Sequence, residues 1–147
     1  MTRLLLTVGW LALLLWLPIA QPQAQNKIPP ERALETLVKS SLLTLNDANV
    51  TGIYTVLHAK LSKPFRDQFS AERLAQVFRS FRDKQIDYDA IAALPPTYSV
   101  PPRIDDDGKL IVRGFFPTEP LHLIFELDFI PSDGEWKLIR VNVKTDD

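Results

Sequence analysis

Residues 121–129 constrain this chain more than any other stretch. The odd positions are Leu121, Leu123, Phe125, Leu127 and Phe129, and the even ones are His122, Ile124, Glu126 and Asp128. Side chains alternate faces along a strand, so this pattern gives one wholly apolar face and one mostly polar face. Burying each apolar member is worth roughly 1.5–3 kcal/mol before ordering costs, so that face requires a cover. Flanking strands are predicted on both sides. Residues 109–117 place Leu110, Val112, Gly114 and Phe116 on one face and Ile111, Arg113 and Phe115 on the other. Asp107-Gly108 supplies a strong hairpin signal, and Ser132-Asp133-Gly134 turns the chain into residues 136–144. Gly114 is expected to mark a bulge or a close backbone approach. In the last strand the apolar phase slips from even (Trp136, Leu138) to odd (Ile139, Val141, Val143), which predicts a bulge near Leu138. Residues 97–104 start the sheet, and Pro101-Pro102, donating no backbone hydrogen bond, confine them to an edge or break them there.

Three helices are expected to cover the apolar face. The first starts at Pro30 and buries Leu34, Leu37, Val38, Ser41, Leu42 and Leu45. Asn46, Asp47 and Asn49 are read as its end, and Asn49 or Asp47 as the cap of a second helix, with Val50, Ile53, Tyr54, Leu57 and Leu61 as the apolar side. Asn49-Val50-Thr51 is also a glycosylation sequon, though capping is the better reading. Residues 61–69 read as irregular. Ser70 caps a third helix over 71–83 with the stripe Leu74, Val77, Phe78 and Phe81. Its arginines alternate with acids and describe a solvated face. Residues 86–96 form a weakly patterned connector.

The start of the chain differs in composition. Arg3 precedes an almost unbroken apolar run from Leu4 to Leu17, the pattern of a secretory signal peptide over residues 1–24. The alternative is an uncleaved anchor. Residues 25–30 read as a linker and 31–147 as one α+β domain, exported to the periplasm or secreted, with no membrane segment after cleavage. The chain has no cysteine, which excludes a lipoprotein anchor and disulfides and fits an oxidising compartment. A formal net charge of −1 argues against nucleic acid as a partner.

The order of elements carries a resemblance. A long helix ending Leu45-Asn46-Asp47 is followed by a short one through Tyr54-Thr55-Val56-Leu57, and Leu61-Ser62 leads to Phe69-Ser70. A helix through Leu74-Ala75-Gln76-Val77-Phe78 and a meander ending Trp136-Lys137-Leu138-Ile139 complete the series. Over residues 31–144 the chain resembles small exported bacterial members of the nuclear transport factor 2-like superfamily. The resemblance implies a cone of three helices packed on a curved antiparallel sheet, and pairing of subunits through sheet faces. Enzymes of that superfamily, such as isomerases and cyclases, are similar only in architecture, so no catalytic residue transfers.

The chemistry is mostly exclusion. His58 and His122 are the only histidines, so cysteine–histidine zinc and three-histidine sites are ruled out. No phosphate loop or nucleophile elbow occurs, and the Asp106-Asp107-Gly108 turn fails the calcium-loop pattern. No metal or cofactor is expected. On the polar sheet face, His122, Glu126 and Asp128 meet Arg113, Arg140 and Asn142, which reads either as an acid–base site or, better, as a wet or partner-facing surface. Two functions follow. One is a non-catalytic binding module, taking a small apolar ligand in the cone near Tyr54, His58, Tyr88 and Tyr98, or a protein on the sheet. The interface then comprises Ile111, Arg113, Phe115, His122, Ile124 and Glu126, with a homodimer as the expected form. The other is an isomerase- or cyclase-type enzyme with acid–base groups in the cone, for which the Asp87/Asp89 pair is a further candidate.

Overall fold

A computed structural model describes residues 27–146, so the expected signal peptide and the first two residues of the linker lie outside the described residues. The fold is α+β. Among the described residues, five α-helices precede a five-stranded antiparallel sheet: α1 (Glu31–Thr51), α2 (Thr55–Lys60), α3 (Lys63–Gln68), α4 (Ala71–Val77) and α5 (Arg79–Asp83). A 3-10 turn, Asp89–Ala93, leads to β1 (Thr97–Tyr98), β2 (Arg103–Ile104), β3 (Leu110–Phe116), β4 (Leu123–Ser132) and β5 (Glu135–Thr145).

The helical half departs from the expected three helices. Helix α1 runs straight through Asn46, Asp47 and Asn49 and stops at Gly52, which adopts φ +75° and donates its N–H to the Ala48 carbonyl at 2.8 Å. A left-handed glycine is a common helix terminator. Neither Asn49 nor Asp47 caps a second helix: both lie inside α1, and the Asn49 amide oxygen accepts from the Tyr54 hydroxyl. Asn46 Nδ2 donates to Asp87 Oδ1 and Asp89 Oδ1, both at 2.8 Å, and Asn46 Oδ1 accepts from the Tyr88 N–H at 3.1 Å. Both asparagines are buried. Val50, in the last turn of α1, and Ile53, in the link to α2, are consequently exposed rather than part of a buried stripe. Residues 63–68, expected to be irregular, are helical, with Pro64 in the first turn where its missing N–H costs nothing. The predicted helix over 71–83 breaks at Phe78 (ψ 14°), so Val77 turns outward while Leu74 and Phe78 stay buried. Ser70 caps it as expected, accepting from the Arg73 N–H at 3.2 Å.

The sheet follows the sequence closely. Strand β4 lies between β3 and β5, and β1 and β2 both pair with the outer side of β3. The backbone breaks between β1 and β2, where Pro101 and Pro102 fall. Leu123, Phe125, Leu127 and Phe129 of β4 are fully buried, as are Leu110, Val112 and Phe116 of β3. Leu121 is exposed because β4 begins two residues later than expected, after the turn at Pro120. The β4–β5 register shifts between Asp128↔Arg140 and Phe129↔Leu138, leaving Ile139 as the extra residue of a bulge. Gly114 lies opposite Phe125, and a β-carbon there would stand 2.2 Å from the Thr97 carbonyl oxygen. Leu34, Val38, Leu42, Leu45 and Ala48 of α1 join these strand residues in one apolar core.

Candidate functional site

The face of the sheet turned away from the core is set by the register. On β3 it carries Ile111, Arg113 and Phe115, paired with Asp128, Glu126 and Ile124 of β4. On β5 it carries Arg140, Asn142 and Lys144, opposite Asp128, Glu126 and Ile124. The hydrogen bonds between charged groups run along the diagonals, with one longer ion pair straight across. Arg113 Nη2 donates to Asp128 Oδ1 at 2.6 Å, and its Nη1 donates to the carbonyls of Val112 (2.9 Å) and Leu127 (2.8 Å). Arg140 Nη2 donates to Glu126 Oε2 at 3.0 Å and its Nη1 lies 3.9 Å from Asp128 Oδ2. Asn142 Nδ2 adds a weaker contact to Glu126 Oε2 at 3.4 Å. Each of these arginines therefore meets a carboxylate within the same face, and the Asp128 side chain is 11 % exposed despite pointing outward.

Apolar groups border this lattice. Ile111, Phe115, Ile124 and Ile130 are half-buried, yet none packs on the core cluster. His122 stacks on Phe115 with ring centroids 5.2 Å apart, and its Nδ1 lies 3.1 Å from Asp146 Oδ2. The structure thus gathers the six expected interface residues on one surface. An acid–base centre needs a group free to exchange a proton with a bound molecule. Here Glu126 and Asp128 are each committed to arginine.

The four expected ligand residues do not gather. Tyr54 and Tyr88 meet around Asn49: the Tyr54 hydroxyl donates to Asn49 Oδ1 at 2.5 Å, and the Tyr88 hydroxyl ends beside the Asn49 amide without completing a hydrogen bond. The Arg82 guanidinium stands 6.0 Å from the Tyr54 ring centroid. Tyr98 lies at the start of the sheet near Glu31 and Glu35 of α1, and its hydroxyl is buried without a partner. His58 is on α2, with Nε2 3.4 Å from the Arg66 carbonyl oxygen. Burial pushes the phenol pKa of Tyr54, Tyr88 and Tyr98 above the ordinary value. The Asp87/Asp89 pair serves Asn46 rather than a shared cavity. Among the described residues no three histidine or acidic side chains converge as metal ligands would.

A cleft that the sequence did not suggest lies between α1, α2 and the start of β5, with a volume of about 580 Å³. Leu37, Leu57, Leu61, Leu138 and Trp136 form its apolar side. Thr36, Ser40, Ser41 and Thr44 form a row of hydroxyls on α1, and Lys60 stands at the end of that row. The sequence signal was the hydroxyl run itself, i, i+4, i+5, i+8, which shares a helix face with Leu37. A second cleft, of about 460 Å³, is lined by Tyr88, Ile86, Thr118, Pro120 and Leu121. Tyr88 is its one contribution from the expected ligand residues.

Compared with known proteins, the chain gives no match to a family model, a curated protein or a solved structure.

Proposed function

We propose that this chain is an exported, non-catalytic binding module that recognises a second copy of itself through the open sheet face. The observation that carries this reading is the ion lattice of Arg113, Asp128, Arg140 and Glu126, closed within the face and bordered by Ile111, Phe115, Ile124 and Ile130. Burying an unmatched charge costs several kcal/mol, roughly, and that cost normally keeps charged surfaces wet. The four charges at the centre of this face are already matched, and Lys144 at its margin is unpaired, so a partner can cover the centre without stranding a charge. What it gains is contact with the apolar border, the composition expected at an interface centre. A two-fold arrangement suits such a patch, because an isologous contact sets the same surface against itself.

The cone-like arrangement of the nuclear transport factor 2-like superfamily belongs to the same proposal. Its support is the order of elements, helices first and an antiparallel meander last, with the apolar sheet face joined to α1 in one core. The interior offers less support for a ligand, since Val112, Phe116, Phe125 and Phe129 fill it with rings and branched chains in contact.

Sedimentation equilibrium tests the reading. The wild-type chain is expected to be dimeric at micromolar concentration, and Ile124→Lys, which sets an ammonium group beside Lys144 in the register, shifts it to monomer with unchanged circular dichroism. A wild-type monomer at concentrations far above micromolar refutes self-association through this face.

A further inference from the structure

We propose that pairing through the sheet face is gated by pH at His122: two copies hold together while its ring is neutral and separate as the ring takes up a proton. The gate rests on the self-association proposed above and regulates that same surface. Its parts lie at one corner of the face. The His122 ring stacks on Phe115 with centroids 5.2 Å apart, and its side chain is 47 % exposed, so water reaches it in the single copy and a partner would cover it. Asp146 accepts the His122 backbone N–H on Oδ1, and its Oδ2 lies 3.1 Å from Nδ1 of the ring. In the neutral ring Nδ1–H therefore donates to Asp146, which leaves Nε2 as the atom that receives an added proton.

The direction of the effect follows from the charges around the ring. Strand β3 brings Arg113, which is bonded to Asp128, and β4 brings Glu126, which is bonded to Arg140. The end of β5 brings Lys144, opposite Ile124 and without an ion pair among the described residues, and beyond it Asp146, whose N–H reaches the His122 carbonyl. Lys144 and Asp146 are two residues apart and so share this face. Glu119, in the turn before His122, lines the second cleft. With a neutral ring the corner thus sets one cation, Lys144, beside one carboxylate, Asp146; with a protonated ring two cations share that carboxylate. A two-fold contact repeats the surplus cation on both copies, and covering unmatched like charge weakens association. The pair therefore binds fewer protons than two separate copies, so its affinity is whole at about pH 8 and falls toward about pH 5, the range in which histidine titrates.

Sedimentation equilibrium of the full chain at about pH 8 and about pH 5.5, with circular dichroism unchanged between them, is the test. The wild-type dissociation constant is expected to be about tenfold larger at the lower pH. His122→Gln and His122→Phe, whatever their own affinity, lose the difference between the two pH values. Lys144→Gln, which leaves Asp146 to the protonated ring alone, removes or reverses it. His58→Gln, on α2, keeps it. A wild-type dimer as tight or tighter in acid overturns the gate and leaves self-association standing, and so does an acid weakening that survives in His122→Gln or Lys144→Gln. A wild-type monomer at both pH values overturns self-association itself.

Discussion

Gly114→Ala tests how the sheet is closed on its β3 side. The added β-carbon would lie 2.2 Å from the Thr97 carbonyl oxygen and 2.9 Å from Cζ of Phe125, a fully buried ring. Carbon atoms pack at about 3.5–4.0 Å, so backbone β1 has to retreat by more than about 1 Å. That retreat breaks the pairing of Thr97 with Phe115 and of Tyr98 with Gly114, and strains the bond from the Ser99 N–H to the Arg113 carbonyl, now 3.0 Å. Lost bonds at about 0.5–1.5 kcal/mol each and overpacking at about 1–3 kcal/mol are set against about 0.4–1 kcal/mol gained by stiffening the unfolded chain. The net expectation is a loss of about 2–4 kcal/mol, read from urea unfolding followed by far-ultraviolet circular dichroism. Gly108→Ala is the control. Gly108 has φ +77° and open space around it, so only backbone strain of about 1–2 kcal/mol applies. A Gly114→Ala protein within about 0.5 kcal/mol of wild type would refute the close approach, since changes of that size are typical of unconstrained surface sites.

Two further outcomes follow. The chain has three tyrosines, and burial raises the pKa of each; the folded state therefore holds their protons more tightly than the unfolded state, and the associated stability is whole below the ordinary value of 10.0 and lost as pH climbs above it. Tyrosinate absorbance should rise at higher pH in the native chain than in urea, and superimposed titrations would contradict the burial of these rings. For export, mass spectrometry of protein from its native host is expected to find an amino terminus near Gln21 or Gln25, and intact Met1 in the membrane fraction would favour an anchor instead.

What could be read from the sequence was whatever a short period or a single residue type decides. Alternation fixed the buried members of β3 and β4, the phase slip at Leu138 located the bulge at Ile139, and Gly114 marked a real contact. The helical half was harder because its boundary residues have two uses. Asn46 looks like a helix stop, but its amide is spent on Asp87, Asp89 and Tyr88 some forty residues away, which no local pattern reports. Gly52, three positions after the residue read as a cap, was the better stop signal. That Ile111, Arg113, Phe115, His122, Ile124 and Glu126 share one face was legible because strand pairing brings near neighbours in the hairpins together. The ligand residues were chosen by type alone, and Tyr54, His58, Tyr88 and Tyr98 come from separate elements whose packing sets where they point.

The margins of the sheet bear on how copies of this chain can accumulate. An unpaired strand edge is a template on which further strands add without limit. On one side that template is interrupted: β1 and β2 are two residues each, and the prolines between them carry no N–H to offer an incoming strand. On the other, β5 is long, but the bulge at Ile139 bends its hydrogen-bonding row and the Leu138 carbonyl already accepts the Ser62 N–H at 2.9 Å. Lys144 adds an unpaired charge to the same strand, a further deterrent to an incoming edge. Fibre-like growth is thus obstructed in the plane of the sheet, while the face-to-face pairing proposed above would end after a single step.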